Sequence, residues 1–375
     1  MKILHLGKFY SPIEGGIESI NHIIVDSMQG NQQRIVSFNN RNNSVDEDVD
    51  NVPVIRASSS GVFASQPLSW KYFLELRRSI KLFNPDIIHF HYPNPLGAIY
   101  LLLSIKKHNK LIVHWHSDIV AQKFMKPFIR PIENRLLRRA DSIIATSPNY
   151  IDASDNISQF KDKITIIPCS INEQNFFKSE YDEAKIKAIK SRFQNKPIIF
   201  FVGRHVEYKG IEYLLKAERL VNSDCVFLIA GKGPLSDELK AKYNSKRIHW
   251  LGRINDEEMR QYLYAADIFA FPSITRNEAF GVALAEAMYC YCPAVTFTIN
   301  GSGVNWVSIN EETGLEVNNC DSEAYAKAID CLINDVNLRQ KLGENAHKRV
   351  SRMFTKKCVS QQYIDLYNNV YIKQR

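Results

Sequence analysis

Two glutamates, Glu278 and Glu286, bracket the segment Ala279-Phe280-Gly281-Val282-Ala283-Leu284-Ala285. Pro272-Ser273 follows an apolar run, so Glu278 falls in a loop at the carboxyl end of a strand, and a helix begins near Gly281. The free N–H groups and positive dipole end of such a helix make an anion site. Glu286 lies about a turn and a half into the helix, and at ~1.5 Å of rise per residue the carboxylates stand up to ~12 Å apart. That spacing suits a ligand with hydroxyls at both ends and phosphates in the middle. The plainer alternative is a surface glutamate and a helix-start glutamate with no shared task.

Three further segments carry chemistry of the same kind. In Phe200-Phe201-Val202-Gly203-Arg204-His205-Val206-Glu207-Tyr208-Lys209-Gly210 a strand ends at Gly203, and Arg204 and Lys209 follow in the loop. Two cations beside a helix N-terminus would hold a diphosphate and stabilise it as it leaves; otherwise they are ordinary solvated charge. Gly15-Gly16 follows the first strand and lets backbone approach a ligand closely, although no Gly-x-Gly-x-x-Gly fingerprint is present. His114-Trp115-His116-Ser117-Asp118 follows a buried strand, which turns His116 toward a ligand cleft. Histidines at i and i+2 raise the question of a metal, but no third ligand stands out, and a hydrogen-bonding role beside the substrate is the better reading.

The elements that must position these residues alternate along the chain. Strand runs at Ile3–Leu6, Arg34–Phe38, Ile87–Phe90, Leu111–Trp115, Ser142–Ala145 and Ile164–Ile167 are separated by helical patterns such as Glu18–Met28, Trp70–Phe83 and Pro127–Arg139. The pattern restarts after an irregular stretch at Pro168-Cys169-Ser170-Ile171-Asn172 and a charged helix over Asp182–Phe193. Strands then fall at Ile198–Val202, Val226–Ala230, Ile248–Leu251, Ile268–Phe271 and Ala294–Phe297. Alternation of this kind means parallel sheets covered by helices on both faces. The fold class is α/β, with two doubly wound domains facing each other across a cleft and ligands at the carboxyl ends of the strands. The predicted domains are 1–170, 171–354 and a last helix over 355–375 that crosses back to the first. Asn39–Asp50 is polar and acidic and reads as a surface loop.

Length and composition agree. At ~150 residues per domain, 375 residues make about two domains. With 45% hydrophobic and 23% charged residues the chain is neither disordered, collagen-like nor a disulfide-stapled miniprotein. No apolar run approaches the ~18 residues of a membrane span, and His5 and Lys8 break the first apolar run, which argues against a signal peptide. A formal charge of +8 favours anionic partners such as nucleotides, phospholipid surfaces or nucleic acid. The seven cysteines form no zinc box; they read as reduced thiols of a cytosolic protein, with Cys290 and Cys292 in packed core.

Taken together, Gly15-Gly16, His116, Gly203-Arg204, Lys209 and Glu278 with Glu286 resemble the retaining glycosyltransferases of family GT4, whose fold is GT-B. The likeness runs through Gly231-Lys232-Gly233-Pro234, Gly252-Arg253 and Thr313-Gly314-Leu315 and covers essentially the whole chain. His116-Ser117-Asp118-Ile119-Val120, Ser147-Pro148-Asn149-Tyr150 and Gly301-Ser302-Gly303 resemble bacterial O-antigen and capsule enzymes, several of them mannosyltransferases. The resemblance implies two Rossmann-like domains and a role for each position. Glu278 would bind the donor sugar's hydroxyls and Glu286 the nucleotide ribose. Gly203, Arg204 and Lys209 would meet the diphosphate. The N–H groups of Phe280, Gly281 and Val282 would contact sugar and phosphate, and His116 would lie over the sugar. Ala279 departs from the family's frequent glycine.

The implied chemistry is front-face displacement with retention, with no protein nucleophile, no cofactor and no catalytic metal; Asp46-Glu47-Asp48, which contains Asp-x-Asp, is read as solvated charge. The implied partners are a nucleotide-sugar donor, leaning to GDP-mannose, and a lipid-diphosphate-linked glycan acceptor. UDP-hexose or UDP-N-acetylhexosamine donors, and a nucleotide-sugar epimerase on the same fold, stay open. Lys123, Lys126, Arg130, Arg135, Arg138 and Arg139 are opposed only by Glu133 and interleave with Phe124, Phe128, Ile129, Leu136 and Leu137. That composition suits a helix lying on the anionic inner face of the plasma membrane, or one whose apolar side packs into the first domain. No nucleic-acid motif is present, so a nucleic-acid partner is not expected.

Overall fold

Apolar runs too short for helices and buried on both faces become the strands. The computed structural model describes residues 1–13, 15–39, 41–63, 66–119 and 126–372. The chain divides into two units, Met1–Pro168 with the stretch from Lys357 onward, and Cys169–Lys356.

The first unit holds β1 (Lys2–Leu6), β2 (Gln32–Phe38), β3 (Val45–Val49), β4 (Val52–Ala57), β5 (Gly61–Phe63), β6 (Gln66–Leu68), β7 (Ile87–Tyr92), β8 (Lys110–Trp115), β9 (Ser142–Ala145) and β10 (Ile164–Ile166). Its main sheet runs β10-β9-β8-β7-β1-β2-β4-β3. Pairing is parallel except for β3, which is antiparallel to β4; β5 and β6 form a separate hairpin. The central strands are buried at nearly every position, as a sheet covered on both faces requires. Helix Lys356–Ile372 belongs to this unit and buries Val359, Tyr363, Leu366, Tyr367 and Val370.

β3 corrects the reading of Asn39–Asp50 as a loop. Asp46, Glu47 and Asp48 are exposed on this edge strand, so their charge is solvated as expected, and Glu47 forms an ion pair with Arg56 at 2.5 Å. Charge on an edge strand is a common defence against edge-to-edge pairing, and it hides the strand from a search for apolar alternation.

The second unit holds β11 (Ile198–Val202), β12 (Val226–Ala230), β13 (Ile248–Gly252), β14 (Ile268–Phe271), β15 (Ala294–Phe297) and β16 (Gly314–Val317), all parallel, in the order β13-β12-β11-β14-β15-β16. The charged helix before it, Glu180–Arg192, starts on a capping box between Ser179 and Asp182. Asp182 also takes both Arg260 and Gln261 from helix Asp256–Ala265, and these bonds, outweighing its burial, hold its carboxyl well below the usual carboxylate range.

Candidate functional site

In the second unit the site follows from strand order. From β11 the chain moves to β12 on one side, and from β14 it moves to β15 on the other. The loops leaving these two neighbouring strands therefore diverge at their carboxyl ends, where doubly wound sheets bind ligands. One loop carries Gly203 to Gly210 and the other Pro272 to Gly281. They touch at Gly210, whose φ is +60° and where a Cβ would lie 2.0 Å from the Pro272 carbonyl oxygen. Only glycine permits that approach.

The junction brings Lys209 to Glu278, 69 residues on. Lys209 Nζ donates to Glu278 Oε2, and Ser273 Oγ donates to the same oxygen at 3.1 Å. Both side chains are nearly buried, at 13% and 12% exposure. The ammonium also lies 5.2 Å from the Phe271 ring centre and 5.7 Å from that of Tyr208. Burial pulls the Lys209 ammonium down, but the charge of Glu278 and the neighbouring Tyr208 outweigh it, and the net shift is upward. Lys209 is therefore a fixed cation. Arg204 stands apart from this pair: it is exposed and forms no ion pair among the described residues. Gly203 packs the ends of β11 and β12 together, since a Cβ on Gly231 (φ +105°) would lie 1.9 Å from the Gly203 carbonyl oxygen.

The Glu278 loop is held from behind. Ser302 Oγ donates to the Glu278 carbonyl and the Gly303 amide to that of Ala279 at 3.0 Å. Phe280 is buried against Trp306 and Phe354. Gly281, at φ +89°, caps helix Val282–Tyr289 with no side-chain cap. Among the described residues no carbonyl accepts from the amides of Phe280, Gly281 or Val282, leaving these donors for a ligand. Glu286 is half-buried on the same helix; burial, then the charge of Asp256, pushes its carboxyl up to about 7. Sequence reading singled out Glu278, Lys209 and Glu286 but gave no role to Ser273, named only as following a strand, or to Asp256. Ser302 stood only in a motif, with no role.

In the first unit, Gly15 precedes helix Gly16–Ser27, and a Cβ there would lie 2.1 Å from Glu18 Oε2, while one on Gly16 would meet open space. Glu14, beside them, lies outside the described residues. His116 departs from expectation: it is 5% exposed and its Nε2 is 2.9 Å from His91 Nδ1, inside a buried histidine array rather than turned outward. Burial pushes its imidazole down to about 3, so it is neutral at physiological pH. The expectation that His114 and His116 have no third companion also fails. His89 and His91 on β7 lie beside them, because the register sets His91 opposite His114. The signal was available, since His89-Phe90-His91 repeats the same i, i+2 spacing on another strand.

The basic helix, Lys126–Arg139, packs its apolar side: Ile129, Leu136 and Leu137 are buried, as is Glu133, which accepts from Tyr92 Oη. Arg130, Arg135 and Arg138 remain exposed, next to Phe128 at 78%. Arg139 instead holds Asp141 and the carbonyls of Lys106 and Asn109. Lys123 and the side chain of Lys126 lie outside the described residues. No helix among the described residues is long and apolar enough to cross a membrane.

Comparison with known proteins bears on both units. Residues 15–175 match the model of Glycosyltransferase Family 4, and residues 182–349 that of Glycosyl transferases group 1. The chain is 29% identical to O-antigen chain mannosyltransferase C of Escherichia coli, over 99% of each chain. It is 30% identical to the D-rhamnosyltransferase WbpZ of Pseudomonas aeruginosa, over 95% of this chain and 92% of that one. Among solved structures it superposes on sucrose-phosphate synthase from Thermosynechococcus elongatus with a TM-score of 0.81 at 21% identity, over 99% of each chain. On Anabaena HepE in complex with UDP the TM-score is 0.78 at 18% identity, over 98% and 100%. The chain belongs to the group 1, GT4-type glycosyltransferases and has their GT-B fold.

Proposed function

We infer that the chain moves a hexose from a nucleotide-diphosphate sugar to a lipid-diphosphate-linked glycan during O-antigen or capsule assembly, with retention and without a catalytic metal. The donor we assign is GDP-linked and of the mannose type. The observation that carries this reading is the Lys209–Glu278 pair beside the free amides of Phe280, Gly281 and Val282. Each member of the pair neutralises the other while the site is empty, as a buried charge requires. A sugar diphosphate exchanges both partners at once. Lys209 passes to the diphosphate, and Glu278 accepts from the sugar hydroxyls. The amides and Arg204 take the remaining phosphate charge, Gly203 lets the backbone come close, and Glu286 accepts from the ribose. The mannosyl- and rhamnosyltransferase names of the two full-length relatives support the sugar class and the pathway.

In the reaction the bond from the anomeric carbon to the diphosphate oxygen breaks, its electron pair leaving with the diphosphate. The acceptor oxygen bonds to the same face of that carbon, and its proton passes to the departing diphosphate oxygen. Catalysis then rests on orientation and on cationic stabilisation of the leaving group by Lys209 and Arg204. Gly15 and Gly16, at the start of a helix of the first unit, are assigned to substrate contact; His116, buried in the histidine array, is given no contact with the sugar. Arg130, Arg135 and Arg138 with Phe128 rest on the anionic inner face of the plasma membrane as a peripheral contact.

The test is transfer from GDP-mannose, UDP-glucose and UDP-N-acetylglucosamine to a lipid-diphosphate acceptor, with and without added Mg2+ or Mn2+. We expect transfer from the GDP-linked sugar, unchanged by either ion, with the donor's anomeric configuration kept in the NMR spectrum of the product. Transfer only from a UDP-sugar, a need for the added ion, an inverted product, or conversion of the donor without acceptor would each overturn the corresponding part.

A further inference from the structure

His5, His89, His91, His114 and His116 share one face of the first unit's sheet. Register fixes this, because His5 lies opposite His89 across β1 and β7, and His91 lies opposite His114 across β7 and β8; residues two apart on a strand keep the same face. All five are buried. Helix Lys356–Ile372 contributes Tyr367, whose hydroxyl is 2.5 Å from His89 Nδ1, and Tyr363, whose ring centre is 6.1 Å from that of His114.

Buried ring nitrogens ordinarily find hydrogen-bond partners. Here His89 Nε2, His91 Nε2 and both nitrogens of His114 have none. In His89 and His91 the other nitrogen is engaged, by Tyr367 and by His116 Nε2. That is how a metal-binding imidazole is set up, with one nitrogen on the ion and the other fixed by an outer partner. One ring nitrogen from each of His89, His91 and His114 lies within 4.8 Å of the other two.

We propose that His89, His91 and His114 bind one divalent transition-metal ion of the zinc class. Three neutral imidazoles favour Zn2+, Co2+ or Ni2+ over Mg2+ or Ca2+, which need oxygen ligands. Bonds of ~2.0–2.1 Å to a tetrahedral ion set the three nitrogens ~3.3 Å apart. Rotation about the broad χ2 wells of the rings supplies the inward shift. The ion braces β7 against β8 and, through His89 and Tyr367, the closing helix. It takes no part in the diphosphate chemistry and does not rest on that reading.

The test uses the full chain produced in medium supplemented with Zn2+, washed with chelator and measured for metal content. The wild type retains one Zn2+ per chain, and His89→Gln, His91→Gln and His114→Gln each retain at least about tenfold less. His5→Gln, on the same face but outside the trio, retains as much as the wild type. X-ray absorption on the wild type, loaded with Zn2+ or Co2+, reads the ligands without mutation and shows three imidazoles and no sulfur. It decides the matter if the variants fail to fold. A wild type that retains no metal, Gln variants that fold and retain as much as the wild type, fewer than three imidazoles, or sulfur at the metal would each overturn the proposal.

Discussion

The histidine face of the first unit's sheet and the interior of the second unit treat buried polar groups in opposite ways. The second keeps its interior charges and compensates them: Lys209 with Glu278, Arg260 with Asp182, Arg247 with Glu218. The first, on the histidine face of its sheet, keeps five imidazoles neutral by burial and leaves several ring nitrogens without partners. Its cations Arg130, Arg135 and Arg138 are turned outward. The difference concerns exchange. A compensated pair gives way to a ligand that brings both opposite partners, as a sugar diphosphate does, whereas a neutral array offers lone pairs to a cation or to a hydroxyl. One sheet architecture, built twice, thus holds a compensated ion pair at its strand ends in one unit and a neutral imidazole array in the other.

The largest expected effect comes from breaking the compensated pair. Lys209→Ala or Glu278→Ala should lower transfer by about 10^3-fold, the scale of losing a group that stabilises charge in the transition state. Each also leaves a nearly buried charge alone, at about 3 kcal/mol of stability. The double variant Lys209→Met/Glu278→Gln should be as inactive as either single one, yet less destabilised than the sum of the two. Turnover and urea unfolding measure the two readouts separately. Full activity in either single variant, or strict additivity of the stability losses, would mean that the pair is not the exchange unit described above.

The outward charge of the first unit is tested by neutralising it. Replacing Arg130, Arg135 and Arg138 together by Gln should weaken sedimentation with anionic vesicles by about 10^2-fold, from about 1 kcal/mol per basic residue near such a surface. Transfer to a water-soluble acceptor should stay at the wild-type level, because none of these residues belongs to the donor site proposed above. An unchanged affinity for vesicles would leave the exposed arginines as ordinary surface charge.

Glu286, in the second unit, is neither paired among the described residues nor neutral by rule, a carboxyl that burial and Asp256 hold at about 7. In the unfolded chain it titrates near 4.5. Between these values the folded chain binds the extra proton, so stability falls as pH rises through that window, and Glu286→Gln removes the slope. Ribose hydroxyls are held best by the ionised form. Nucleotide affinity should therefore rise about tenfold from pH 6 to pH 8, the ratio of ionised fractions for a group titrating near 7, with a proton released on binding. Calorimetry in buffers of different ionisation enthalpy reads both. A flat profile would take Glu286 out of the nucleotide site.

Much of this could be read in the sequence because strands buried on both faces announce themselves as apolar runs: β9, β11, β12, β14 and β15 stand where those runs stand. β3 escaped because Asp46-Glu47-Asp48 carries its charge outward along an edge. β16 escaped because Gly314-Leu315-Glu316-Val317 has only two apolar side chains and is no continuous apolar run, with Glu316 at a half-buried position. The glutamates and Lys209 could be found by type and by their place after strands. Their pairing could not, since it depends on which strands become neighbours, and β11 and β14 lie far apart in the chain. The i, i+2 histidine pairs were legible too, but not their meeting, since His5 stands on β1, His89 and His91 on β7, His114 on β8 and His116 just beyond it.

The smallest effect separates the position of Glu278 from its charge. Ser302 is fully buried and touches the loop only through the main chain, donating to the Glu278 carbonyl and accepting from the Val304 amide at 3.2 Å. Ser302→Ala should cost about 1 kcal/mol of stability, the net worth of an ordinary hydrogen bond. If that same energy is felt at the carboxylate, turnover falls about fivefold, with donor affinity little changed. Ser273→Ala removes a bond to the carboxylate itself at 3.1 Å but leaves Lys209 on Glu278, so its loss should be of similar size and appear in donor affinity as well. A Ser302→Ala variant that stays folded yet loses as much turnover as Glu278→Ala would place the decisive contribution in the geometry of the loop and its free amides. The carboxylate would then matter chiefly as the partner that keeps Lys209 charged until the donor arrives.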